Sequence, residues 1–178
     1  MALSFSTAKT DETGKELLTY GTTDFPIAFF DDDLTKVKVP WHWHDELEIV
    51  VILSGDVSVF FSGHELRLHS GEGYWANSGV LHSAELRSVT GRQHAIVFHP
   101  KIIASPGDIV WNTYVAPILF HENLPFVKLS PTIPWQKEIL SCAEKAWSSG
   151  AHEKTDYPLT VRASLSRIFA LLTRSIDT

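Results

Sequence analysis

The chain has 178 residues, 44% of them apolar, enough for one compact domain with an appendage and a true core. Its formal charge of −6 comes without a Lys/Arg run, which excludes a basic nucleic-acid face of the usual kind within these residues. The single cysteine, Cys142, excludes a disulfide framework and fits a reducing, cytoplasmic setting. The longest aliphatic run, Ile49 to Leu53, is too short to span a bilayer, and the polar start lacks the apolar stretch of a signal peptide.

Residues 1–16 are rich in Ser, Thr, Lys and Asp, and read as a flexible N-terminal arm. From 17 to about 130 the texture is that of a β domain. Short apolar runs (Pro26–Phe30, Glu48–Leu53, Val57–Phe61, Glu65–His69, Gln93–Phe98) are separated by turn residues. Asp31–Asp33 reads as a solvated acidic turn, because it lacks the loop spacing of a calcium site. Phe61-Ser62-Gly63-His64 reads as a hairpin turn. The stretch Ile102–Leu129 is mixed, with further strands expected in it.

Over 131–178 the period changes to that of helices. Trp135, Ile139, Ala143 and Ala146 mark one, opened by Pro134 and stopped by Gly150. Val161, Leu165, Ile168, Phe169, Leu172 and Ile176 mark a second, whose stripe is wide enough for a core or a dimer interface. It runs almost to the last residue without a cap, as if something followed it.

The chemistry concentrates in Trp41-His42-Trp43-His44-Asp45-Glu46-Leu47-Glu48. On one strand His42, His44, Glu46 and Glu48 share a face. Two imidazoles and a carboxylate there suit a divalent transition metal, and His82 could add a fourth ligand from another strand. The same cluster could instead line a pocket and hydrogen-bond within itself. Glu46 reads as a pocket residue or as an exposed strand end. Trp41 and Trp43 fall on the opposite face and read as packing residues, whereas Trp75, beside the second motif, could touch a ligand. Cys142 reads as a buried small hydrophobe.

His-x-His-x3-Glu-x6-Gly, satisfied from His42 to Gly55, is similar to the first cupin motif. Gly71, Gly79 and His82 resemble the second, with Asn77 where that motif has Pro, Leu86 where it has Asn, and Lys36 at the leading Gly of the first. The wording from His42 to Gly55, followed by Gly71-Glu72-Gly73 and Leu81-His82-Ser83-Ala84, resembles the N-terminal sensing domain of AraC-type transcriptional regulators. This resemblance, over roughly 20–178, implies a mostly β cupin (double-stranded β-helix or jelly-roll) barrel followed by two C-terminal helices. It implies an effector pocket at His42, His44, Glu46, Glu48, Trp75 and His82, and a homodimer through Val161, Leu165, Ile168, Phe169 and Leu172. It gives DNA contact to a helix-turn-helix part beyond this chain. It implies no catalysis and no required cofactor, with zinc or nickel a possible occupant of His42, His44, Glu48 and His82. The competing readings are a stand-alone metal-dependent cupin dioxygenase or isomerase, and a metabolite-binding module without regulation.

Overall fold

The computed structural model describes residues 3–7 and 9–176, the side chains of 175 and 176 excepted. Nine strands form two antiparallel sheets. One has five strands in the order β1 (Ile27–Asp33), β8 (Arg92–Phe98), β3 (Leu47–Ser54), β6 (Gly73–Ala76) and β9 (Phe126–Leu129). The other has four, in the order β2 (Val39–His42), β7 (His82–Leu86), β4 (Val57–Phe61) and β5 (His64–Leu68). Together they make a mostly β, two-sheet barrel, as expected. β4 and β5 are the expected hairpin, with Phe61 opposite His64 and Gly63 at φ +78°.

The five-stranded sheet is covered on both faces, which explains its nearly unbroken apolar runs. Alternation sends Ile27, Phe29, Leu47, Ile49, Ile96 and Phe98 outward to the helices. It sends Ala28, Phe30, Val50, Ile52, Ala95 and Val97 into the barrel. The outer layer is α2 (Pro134–Ala151) and α3 (Tyr157–Ile176), packed on each other and on the sheet.

Val161, Leu165, Ile168, Phe169 and Leu172, expected at a dimer interface, are all 0% exposed within the single chain. A naked outer sheet face needs covering, and α3 spends its stripe there, so these five side chains are not available to a second copy. The side chain of Ile176 lies outside the described residues.

Three other expectations change. Gly150 does not stop α2, which runs to Ala151 and ends where Glu153 takes a left-handed φ of 47°. Ile102–Leu129 supplies only one strand, β9; a π-helical turn (Trp111–Val115) running into α1 (Ala116–Leu119) precedes it. The arm is fastened among its described residues: Ser4 N–H donates to Phe29 O at 2.8 Å, Thr10 bridges Glu16, and Trp43 Nε1 donates to Thr13 O at 3.0 Å.

Gly150 instead allows a close approach. A Cβ there would lie 2.1 Å from Cζ of Phe29, which is fully buried. Gly150→Ala should therefore destabilise the protein by about 1–3 kcal/mol despite the better helix propensity of Ala. Urea unfolding measures this, and unchanged or higher stability would show that α2 is free to move off the sheet.

Candidate functional site

His42, His44, Glu48 and His82 come together inside the barrel, with one ligand atom from each lying within 4.8 Å of the others. They do not share a strand. His42 ends β2, His44 lies in the link crossing between the sheets, Glu48 is on β3 and His82 opens β7. A bulge sets two residues of β2 (Pro40 and Trp41) against one of β7 (Ser83), between the pairs Val39–Ala84 and His42–His82, bringing His42 opposite His82 with ring centroids 4.3 Å apart.

Each imidazole is oriented from behind. Nδ1 donates to the carbonyl two residues away along the chain: His42 to Pro40 (2.8 Å), His44 to Glu46 (3.1 Å) and His82 to Val80 (2.8 Å). This fixes the tautomer and turns Nε2 inward, the arrangement typical of metal-ligating histidines. His82 Nε2 lies 2.8 Å from Glu48 Oε2. In that tautomer two lone pairs meet, so a proton or a metal cation must bridge them. His44 Nε2 is buried without a hydrogen-bond partner among the described residues, and Glu48 Oε2 is 3.5 Å away. The donor set therefore fits a divalent cation.

Burial works against the Glu48 carboxylate, but the charge and hydrogen bond of His82 and the nearby His44 imidazole hold it well below the usual carboxylate range. Burial also works against protonated His44, yet the facing Glu48 carboxylate holds its pKa up. His42 is pushed down by burial first and by nearby His82 second. Tyr74, which no motif marked, donates to Glu48 Oε1 at 3.3 Å, and burial followed by the Glu48 charge pushes its pKa well up.

The cluster opens into a cavity of about 40 Å³ whose wall also includes Tyr20, Asp32 and Gln93, together with Ser6, Thr10 and Glu16 of the N-terminal segment. That is room for about three water-sized groups.

Two expected pocket residues lie elsewhere. Trp75 is fully buried on the helix side, edge-on to Phe98 and Phe169, because Tyr74 and Ala76 take the inward positions of β6. Glu46 is half-buried and lines a more open cleft with Lys15, Asp45 and His99, which adjoins the cavity through Glu16, Tyr20 and His44. The acidic stretch Asp31–Asp33 is the end of β1 rather than a solvated turn. Asp31 pairs with Arg92, Asp33 caps the turn at Thr35, and Asp32 points inward at 5% exposure. Asp32 and Gln93 carried no sequence signal, since only the β1–β8 register places them opposite each other.

Asn77 stands at the Pro position of the second cupin motif. Its Nδ2 donates to Ile118 O (2.8 Å) and Leu124 O (3.2 Å), and its backbone N–H donates to Pro125 O (2.8 Å). It thus ties the 116–125 segment to the barrel. Asn77→Ala should cost about 1–3 kcal/mol by removing the side-chain hydrogen bonds to Ile118 O and Leu124 O, measured by thermal or urea unfolding. No loss would mean that these carbonyls find other partners.

Residues 25–105 match the family described as AraC-like ligand binding domain. An uncharacterized HTH-type transcriptional regulator, YdeC of Bacillus subtilis (strain 168), is 30% identical over 139 residues, which cover 76% of this chain and 47% of that protein. The chain spans about half the length of the curated relative it matches. An RmlC-like cupin from Shewanella frigidimarina NCIMB 400 is 16% identical with a TM-score of 0.38, covering 40% of this chain and 65% of that one. Oxalate decarboxylase OxdC of Bacillus subtilis is 20% identical with a TM-score of 0.35, covering 40% and 21%. Likenesses this low carry no functional argument. Between β1 and the turns after β8, over residues 25–105, this chain is matched by the AraC-like ligand binding domain.

Proposed function

We propose that the chain is the ligand-sensing and dimerisation domain of an AraC-type transcriptional regulator and takes a small-molecule effector inside its barrel. One observation carries the proposal: the barrel holds a cavity, apolar over much of its wall with a few convergent polar side chains, and the N-terminal segment completes that wall. An effector larger than the cavity has to displace Ser6, Thr10 and Glu16 from that wall. Binding then favours one arrangement of the segment over another, which is the differential affinity a switch requires. DNA contact falls to the helix-turn-helix part of such a regulator. Pairing of two copies uses a surface other than the buried stripe of α3. No described helix is long and apolar enough to cross a membrane.

Deleting residues 1–16 should change effector affinity, measured by calorimetry with a compound found in a melting-temperature screen of metabolites. Unchanged affinity would remove the arm from the mechanism.

In this reading His42, His44, Glu48 and His82 hold a divalent metal such as zinc or nickel, as a pocket element rather than a catalyst. After chelation and incubation with zinc, elemental analysis should find about one ion per chain. His82→Ala should lower the affinity at least tenfold, as loss of a direct ligand costs no less than loss of an outer-shell partner at about 10–100-fold. No uptake would leave the cluster as a hydrogen-bonded pocket wall.

The same four-ligand set favours a second reading, a stand-alone metal-dependent dioxygenase or isomerase. Substrate turnover after iron or manganese loading would replace the sensing reading with that one.

A further inference from the structure

Away from Glu48, Tyr74 and the histidines, the inner face of the five-stranded sheet carries two polar side chains among apolar ones. Asp32 on β1 and Gln93 on β8 stand opposite each other and both line the cavity. They are 5% and 3% exposed. Gln93 Nε2 donates to Asp32 Oδ2 at 3.4 Å, and Ser6 Oγ donates to Asp32 Oδ1 at 3.2 Å. Both bonds are long, and both donors are neutral. Gln93 Oε1 is buried without a hydrogen-bond partner among the described residues. The charges that act on Asp32 are themselves carboxylates, Glu48 and Asp31.

An unmatched carboxylate beside an unmatched amide oxygen is costly in a dry core. A purely structural pair would be cheaper as two apolar side chains, because partly satisfied buried polar groups are worse than none. The pair makes sense where a ligand completes it. Both free positions are acceptors; of the lining carboxylates Glu48 is held by His44 and His82 and Glu16 by the Tyr20 hydroxyl, which leaves Asp32 with neutral donors alone. The complement is a donor with positive charge.

We infer that Asp32 and Gln93 form a subsite for a protonated amine, so that the effector is a small ammonium-bearing molecule. The inference rests on the ligand-sensing reading and adds the ligand's chemical class. The ammonium donates to Asp32 and to Gln93 Oε1. It competes there with the Ser6 hydroxyl, which reaches in from the N-terminal segment.

The test uses the whole chain after chelation, with butylamine and putrescine as probes and butanol and butyrate as matched controls. The amines should bind and raise the melting temperature, whereas the alcohol and the carboxylate should not. Asp32→Asn, which keeps shape and removes charge, should weaken amine binding at least about tenfold, the loss of one charge-assisted hydrogen bond. Its ligand-free melting temperature should equal or exceed that of the parent, because burial of Asp32 disfavours its ionised form and lifts its pKa. Gln93→Met should weaken the amines too.

Butanol binding as well as butylamine, or unaltered amine affinity in Asp32→Asn, would overturn the inference. So would a fall of several degrees in the ligand-free melting temperature of Asp32→Asn, which would mark the pair as structural. A neutral metabolite that binds in the barrel regardless of Asp32 would overturn the amine subsite and leave the sensing reading standing. The absence of any ligand in the barrel would remove both.

Discussion

The carboxylate of Glu48 lies inside the barrel between His82 (2.8 Å) and His44 (3.5 Å), with the Tyr74 hydroxyl on its other oxygen. A charge at such a depth persists only with compensation. The surroundings meet that demand from both sheets. β3 brings the carboxylate, β7 brings His82, and the bulged end of β2 brings His42. The backbone carbonyls of Pro40, Glu46 and Val80 then fix each imidazole with Nε2 toward the centre. The two sheets are thus joined at one end by chemistry and elsewhere by apolar packing.

The outer architecture follows from a second constraint. A five-stranded sheet with apolar side chains on both faces cannot stand alone in water. α2 and α3 close the outer face, and Gly150 lets α2 come down directly onto the Phe29 ring. The stripe from Val161 to Leu172 therefore serves the chain's own core. Wholly buried side chains cannot also form an interface between copies.

The metal-ready cluster was legible because its residues are spelled out at short spacing. The supposed single strand face was not real: the chain leaves one sheet after His42 and enters the other at Leu47. The helices were legible from their period, but not what their stripes would meet. Trp75 and Asp32 show the limit most plainly. Each stands beside residues that face the opposite way, so its role depends on strand parity, which composition does not reveal. An acidic triplet reads as a surface turn until β8 is laid beside it and Gln93 falls opposite Asp32. Asn77 reads as a broken motif until its carbonyl partners, all from a distant segment, are in view.

The central claim is that the barrel interior is a ligand chamber. Native mass spectrometry of the purified chain mixed with a metabolite extract tests it most directly, comparing the parent with Ala95→Leu, which fills the cavity from an inward position on β8 that is 3% exposed. The account predicts a small-molecule adduct on the parent that is lost in Ala95→Leu at unchanged folded mass and charge distribution. An adduct that persists in Ala95→Leu, or no adduct on the parent across extracts, would contradict it.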